Sequence, residues 1–155
     1  MKKITTIKPI KDIKRYWHFI DLEGQTLGRI STKIAKLLTG KDKVQFCYHH
    51  DWGDYVIAVN SNKIKTTGKK LKDKIYYRHS GYAGNLKEIQ LKDLMKKDSR
   101  KVIYASVYGM VAKNKLRKPR MRRLKIFKTA DHPYQGKLKG LSPKRHPELA
   151  EGSQK

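Results

Sequence analysis

The sequence predicts an α/β fold: a three-layer α/β/α domain with a short, mainly parallel sheet. A strand-like run at 17–21 precedes a helical pattern, and a continuous apolar run at 55–59 has the composition of a strand buried on both faces of a parallel sheet. Strands separated by helices favour a parallel sheet that those helices cover. The length of 155 residues fits one compact domain with extensions, since a domain usually has about 100–200 residues.

The first helix is expected directly after a turn at 23–25, where apolar residues recur at helical spacing. These residues are Leu27, Ile30, Ile34, Leu37 and Leu38. Gly40 stands where a left-handed C-cap ends such a helix. Further along the chain, two short strands are expected at 63–67 and 74–78, and a loop follows at 80–85.

The second half of the chain is predicted to be more helical. Apolar residues recur at helical spacing over 88–97, and Asp98 and Ser99 offer an N-cap for a further helix. That helix carries its apolar stripe as far as Met110. A basic helical segment then leads into the short apolar run 124–127.

Composition divides the chain into three parts. Residues 1–14 form a basic N-terminal arm, residues 15–130 the α/β domain, and residues 131–155 an extended C-terminal tail. Proline and glycine interrupt every pattern in the tail, which is therefore expected to be largely disordered when free.

The charge balance indicates a polyanionic partner. The chain has 38 Lys and Arg residues against 13 Asp and Glu, which gives a formal net charge of +25. Repulsion among these positive charges destabilises the compact state, and a polyanionic partner relieves it. The candidate partners are nucleic acid, an anionic membrane and an acidic protein. Cys47 is the only cysteine, so neither an intramolecular disulfide nor a multi-thiolate zinc site is expected. No apolar run is long enough for a signal peptide or a membrane span, so secretion and membrane insertion are not expected.

The basic residues are concentrated in one stretch. Residues 99–130 contain eleven basic residues and no carboxylate. A solvated surface normally mixes both signs of charge, whereas an uncompensated block gains affinity for a phosphate backbone by releasing counterions. Nucleic-acid binding is therefore favoured over a plain basic surface. A membrane fits less well, because residues 113–123 contain no Trp or Phe.

An enzyme or metal site would have to use His49, His50 and Asp54, because imidazole and carboxylate groups ligate metals and transfer protons. Their spacing matches no motif with a known mechanism, and adjacent histidines on an extended segment point to opposite sides. We therefore predict no catalytic residue, no metal and no cofactor. A metal-dependent enzyme is kept as a competing hypothesis.

A series of short motifs runs in a fixed order over 15–134. The motifs are Leu27-Gly28-Arg29, Gly40-Lys41-x-Lys43, Asp51-x-Gly53-Asp54-Tyr55-Val56-Ile57, Thr67-Gly68-x-Lys70, Asp73-Lys74-x-Tyr76-Tyr77-Arg78-His79-Ser80-Gly81-Tyr82, Gly109-Met110 and Lys113-Asn114-Lys115-Leu116. This series resembles the bacterial form of large-subunit ribosomal protein thirteen. The resemblance implies a three-layer α/β fold, no enzymatic activity, and binding of large-subunit rRNA early in subunit assembly. It does not extend to residues 137–155.

We therefore expect residues 15–130 to bind large-subunit rRNA, mainly through the segment 113–128. Neighbouring large-subunit ribosomal proteins are expected partners, whereas a membrane or a small-molecule substrate is not. The expected location is the cytoplasm, on a bacterial ribosome, with an organellar ribosome as the other possibility. The predicted contact residues are Lys41, Lys43, Arg78, His79, Ser80, Gly81, Lys113, Lys115, Arg117, Lys118, Arg120, Arg122, Arg123, Lys125 and Lys128. A purely structural loop at 78–81 and a free-standing RNA-binding regulator or RNA chaperone remain the alternatives.

Deletion of residues 147–155 is expected to leave incorporation into large subunits unchanged. This end of the tail offers few apolar groups, and Glu148 and Glu151 reduce its attraction to RNA. Incorporation is measured by competition between the truncated and full-length proteins for entry into large subunits. Exclusion of the truncated protein would show that the end of the tail has a role.

Overall fold

The computed structural model describes residues 13–134 and Gly136. One sheet contains β1 (Trp17–Asp21), β2 (Tyr55–Val59) and β5 (Leu124–Ile126) in the order β1-β2-β5. A second sheet contains β3 (Ile75–His79) and β4 (Leu86–Gln90). The helices are α1 (Leu27–Thr39), α2 (Lys70–Asp73), α3 (Leu91–Met110) and α4 (Arg117–Arg122).

The first sheet is parallel throughout its described pairs. Trp17 lies opposite Tyr55 between β1 and β2, and Val56 lies opposite Leu124 between β2 and β5. The second sheet is an antiparallel hairpin in which Tyr77 lies opposite Glu88. The prediction of an α/β fold with a mainly parallel sheet is confirmed, while the three-layer order stays a prediction.

The main core lies between the first sheet and the helix pair α1 and α3. Val56 and Ala58 of the central strand β2 belong to one buried apolar cluster with residues of both helices. The helical members include Ile34, Leu38, Val102, Ile103 and Val107, all fully buried. Because β2 has neighbours on both sides, four of its five residues are buried, as its continuous apolar composition predicts.

Helix α1 begins and ends as its sequence predicts. Its buried positions recur at helical spacing, which places its apolar face on the core. Gly40 adopts φ +77°, and its N–H donates to the carbonyls of Lys36 and Leu37 at 2.9 and 3.2 Å. A left-handed residue at this point satisfies the last carbonyls of the helix and turns the chain away.

Two predicted elements are wrong. The strand expected at 63–67 is absent, because Asn60 adopts a left-handed conformation and starts a 3-10 turn at Ser61–Lys63. Within the expected strand, only Lys65 pairs, in an isolated bridge to Thr26. The helix expected from residue 88 begins instead at Leu91, because Leu86–Gln90 forms strand β4. Pairing with β3 outweighs the local helical spacing there.

The predicted break at Asp98 is confirmed. Asp98 has φ −158° and ψ 97° within α3, so two helical stretches meet at this residue. Its carboxylate accepts the backbone N–H of Arg100 at 3.2 Å, in the manner of an N-cap.

The second face of the parallel sheet is aromatic. Trp17 and Tyr55 stack with ring centroids 4.3 Å apart, and Tyr134 stacks on Trp17 at 5.5 Å. His132 lies against Phe19 at 5.6 Å. Residues 132 and 134 therefore pack on the sheet, although the sequence pattern assigns them to a tail. Residues 1–12, 135 and 137–155 lie outside the described residues, so the expected disorder of the tail stays a prediction.

Replacing Gly53 with Ala is expected to lower the free energy of unfolding by about 2–4 kcal/mol. A Cβ at this position would overlap the carbonyl oxygen of Leu38 and lie 2.7 Å from the Arg123 guanidinium. The measurement is urea unfolding followed by circular dichroism. Gly28→Ala is the control, because its Cβ would have no atom within 4 Å. Equal stability of the two variants would contradict the close packing around Gly53.

Candidate nucleic-acid interface

The basic segment 113–128 leads from the end of α3 through α4 into strand β5. Pro119 lies in the first turn of α4, where a helix has no need of its N–H. Met121 and Leu124 are buried and anchor the segment to the core. The cations that remain exposed are Lys113, Lys115, Lys118, Arg122 and Lys128. Arg117 and Lys125 are half-buried.

Two of the predicted contact residues lie in the interior. Arg120 and Arg123 are only 3% and 7% exposed. Arg123 donates to both carboxylate oxygens of Asp51, each at 2.6 Å, and the Arg120 Nε lies 3.5 Å from the same carboxylate. The guanidinium groups of Arg120 and Arg123 therefore face a carboxylate of the protein instead of solvent. No local pattern indicates this pairing, because Asp51 and Arg123 are separated by 72 positions.

Arg117 is held against an aromatic ring. Its Cζ lies 3.4 Å from the centroid of the Tyr108 ring, and its guanidinium donates to the Tyr108 carbonyl. Tyr108 in turn stacks near Tyr104 with ring centroids 6.0 Å apart. Cation–π contact orients this guanidinium while leaving part of it accessible.

Lys43 is also engaged inside the protein. Its ammonium donates to the carbonyls of Lys14 and Trp52 at 3.0 and 2.9 Å, and to Asp54 Oδ1 at 2.5 Å. An ammonium has three donors, so these contacts use all of them. Lys41, by contrast, is exposed.

Asp54 is the centre of this second buried cluster. It is 4% exposed and accepts from the backbone N–H of Tyr16 at 3.0 Å and from His18 Nε2 at 3.0 Å, in addition to Lys43. Burial alone would raise the pKa of Asp54, but the hydrogen bonds from His18, Lys43 and Tyr16 hold the pKa below its usual value. The ionised carboxylate thus ties the loop after α1 to the residues before β1.

The β3–β4 hairpin forms a separate exposed surface. Arg78 lies directly opposite Lys87, so two cations share one face of the hairpin. Like charges in this position destabilise a free hairpin, and an anionic partner would relieve the repulsion. His79 Nδ1 accepts the N–H of Gly81 at 2.9 Å, and Gly81 has φ +97°. His79 therefore helps to shape the turn.

The residues considered for a metal site are engaged in different contacts. The rings of His49 and His50 lie 4.4 Å apart, whereas Asp54 is bound to His18 and Lys43. Over residues 13–134, no group of three or more His, Cys, Asp or Glu side chains is placed to hold a metal ion. Nor is any helix in that range long and apolar enough to cross a membrane.

An α/β fold with a block of exposed cations and no carboxylate over residues 99–130 is typical of a basic nucleic-acid-binding protein. The family model for ribosomal protein L13 matches residues 15–133, and the chain belongs to this family. Among similar proteins named large ribosomal subunit protein uL13, that of Vesicomyosocius okutanii is 46% identical over 124 residues, which cover 80% of this chain and 87% of the relative. That of Clostridioides difficile is 49% identical over 123 residues, with coverage of 79% and 86%.

The relative from Thermotoga petrophila is 42% identical over 135 residues, with coverage of 87% of this chain and 90% of its own length. Membership of the family confirms the resemblance to its bacterial form and the prediction of a structural ribosomal protein instead of an enzyme. It does not favour a free-standing RNA-binding regulator.

Replacing Asp54 with Asn is expected to lower the free energy of unfolding at pH 7 by about 1–3 kcal/mol. Since the folded-state pKa of Asp54 is depressed, its contribution is present above the unfolded pKa of about 3.9 and is lost as the pH falls through the folded pKa. Urea unfolding is compared at pH 7 and at successively lower pH.

The difference between wild type and Asp54→Asn should shrink at low pH. Asp42→Asn serves as the control, because Asp42 is exposed in the same loop. A difference that stays constant down to about pH 2, below the usual carboxylate range, would contradict the role assigned to the Asp54 carboxylate.

Proposed function

We propose that the chain is a constituent of the large ribosomal subunit in the bacterial cytoplasm, where it binds large-subunit rRNA and supports early subunit assembly. The observation that supports this most directly is the one-sided charge of residues 99–130, which contain eleven basic residues and no carboxylate. Family membership supplies the ribosomal context. The charge supplies the physical reason for RNA binding, because each neutralised phosphate releases counterions.

The exposed cations of the basic segment form the main proposed contact. Water solvates these side chains, because all of them are exposed: Lys113, Lys115, Lys118, Arg122 and Lys128. Half-buried Arg117 and Lys125 flank them. Met121 and Leu124 fix the backbone around Lys118 and Arg122, so these two cations are presented from a packed helix, and Lys113 and Lys115 lie in the turn just before it.

Secondary contacts are proposed at Lys41 and at the hairpin tip 78–81. Arg78 lies on the same face of the hairpin as Lys87 and supplies positive charge. The small residues Ser80 and Gly81 allow the RNA sugar–phosphate backbone to approach the protein closely. Arg120, Arg123 and Lys43 act as positioning residues in this proposal. They hold the basic segment and the loop after α1 through Asp51 and Asp54.

Neighbouring ribosomal proteins are proposed as further partners. The hairpin carries exposed apolar side chains on the face opposite Arg78, notably Tyr77 at 64% and Leu86 at 54% exposure. Such a face suits a protein contact better than a phosphate backbone.

Binding to large-subunit rRNA is expected to weaken steeply with salt. If about six to ten phosphates are neutralised, log K falls against log salt concentration with a slope of roughly −5 to −9. The measurement is filter binding of the full chain to deproteinised large-subunit rRNA over a salt series. A slope near zero would contradict the phosphate contacts.

The triple variant Lys115→Gln, Lys118→Gln, Arg122→Gln is expected to flatten the slope by about one unit for each cation that no longer neutralises a phosphate. The matched control changes the exposed lysines Lys92, Lys96 and Lys97 of α3 to Gln and removes the same charge. An equal effect of both triple variants would show that net charge, and not this segment, determines binding.

A further inference from the structure

A second cationic surface lies in an open cavity of about 970 Å³. The cavity is bounded by the first turns of α1, the loop that leads into α2, and the last turn of α3. Its cationic lining consists of Arg29, Lys69, Lys70 and Lys74, all exposed. Asp73 is the only carboxylate among the described residues that line it. The charge of this concave surface therefore favours an anion.

Three sequence motifs that the basic segment does not include meet at this cavity. Leu27-Gly28-Arg29 contributes one wall, Thr67-Gly68-x-Lys70 a second wall, and Met110 of the Gly109-Met110 motif a third. They are far apart in the sequence, so only the fold brings them together. Hydroxyl groups of the threonines in these walls add hydrogen-bonding groups beside the cations.

Gly28 lines the cavity, and Gly109 precedes the lining residue Met110. A Cβ on Gly28 or on Gly109 would meet no atom within 4 Å, and neither residue has a positive φ. Both lie within helices, where glycine is less favourable than alanine. The absence of a side chain at Gly28 leaves room for a ligand to approach the helix backbone.

The cavity is continuous with the basic segment. Thr32 Oγ1 of α1 donates to the Met110 sulfur at 3.5 Å, and Lys113 follows three residues later. At the other end of α1, the Arg123 guanidinium donates to the Leu38 carbonyl at 3.4 Å. The chain from Met110 to Arg123 therefore contacts α1 at two points, Thr32 and Leu38, which are about 9 Å apart along the helix.

We propose that one RNA strand places its sugar–phosphate backbone in this cavity and continues along the basic segment. The inference rests on the proposed rRNA binding and adds a second contact to it. Arg29, Lys69, Lys70 and Lys74 neutralise the phosphates, and the absence of a side chain at Gly28 lets the sugar–phosphate backbone come close to the first turn of α1.

The experiment uses the full chain and deproteinised large-subunit rRNA in filter binding. Gly28→Leu fills the cavity without changing the charge, and it is expected to weaken binding about tenfold while leaving the melting temperature unchanged or higher. Gln45→Leu, which adds an exposed leucine outside the cavity, is the control for bulk. Binding by Gly28→Leu within about twofold of Gln45→Leu would overturn the proposal.

A charge variant makes the result independent of any effect of Gly28→Leu on folding. Lys70→Gln is expected to reduce the salt slope by about one unit, whereas Lys36→Gln, on the exposed side of α1 outside the cavity, is expected to leave it unchanged. Equal slopes for these two variants would also overturn the cavity contact.

The outcomes separate this inference from the proposed function. If the wild-type chain shows no salt-dependent binding, both fail. If wild type binds and the triple variant of the basic segment weakens it, but the cavity variants behave as their controls, the cavity contact alone is wrong.

Discussion

The ion pair between Asp51 and Arg123 is the interaction on which the arrangement of the molecule depends. Asp51 lies just before the central strand β2, and Arg123 lies just before β5, so their bidentate contact at 2.6 Å joins the two strands where they begin. The Arg123 guanidinium also reaches the end of α1 through Leu38. Gly53 leaves the space in which this occurs. The half-buried Asp51 carboxylate thereby fixes the end of helix α4, which carries the exposed Lys118 and Arg122.

The same residue type has two distinct roles in the segment 113–128. Arg120 and Arg123 are buried and face a carboxylate, whereas Arg122, between them, is exposed. Burial without a partner would cost several kcal/mol per charge. Asp51 offsets this cost, because it accepts two hydrogen bonds from Arg123 and lies 3.5 Å from the Arg120 Nε. Segregation of this kind lets a chain with a net charge of +25 form a core while keeping most of its charge on the surface.

Local signals account for what the sequence predicts correctly. Helix α1, its glycine cap, strand β2 and the break at Asp98 each depend on residues within a few positions of one another. Strand β4 is different, because its apolar residues fit the spacing of a helix as well as that of a strand. The segment forms a strand because it pairs with β3. The internal roles of Arg123 and Lys43 depend on Asp51 and Asp54, which a charge count along the chain does not associate with them. Family motifs identify the protein class, but they do not separate buried cations from exposed ones.

The stacking of Tyr134 on Trp17 brings the start of the first strand close to the residues that follow the last strand. These rings lie 5.5 Å apart, although Trp17 begins the first strand and Tyr134 follows the last one. The range 13–134 thus begins and ends near the same patch of the sheet. A circularly permuted form of residues 13–134, opened at the exposed hairpin tip and joined across this patch by a short linker, would retain the described strand pairings and the buried apolar cluster. The order in which the elements are synthesised could then be changed without changing the surface they form.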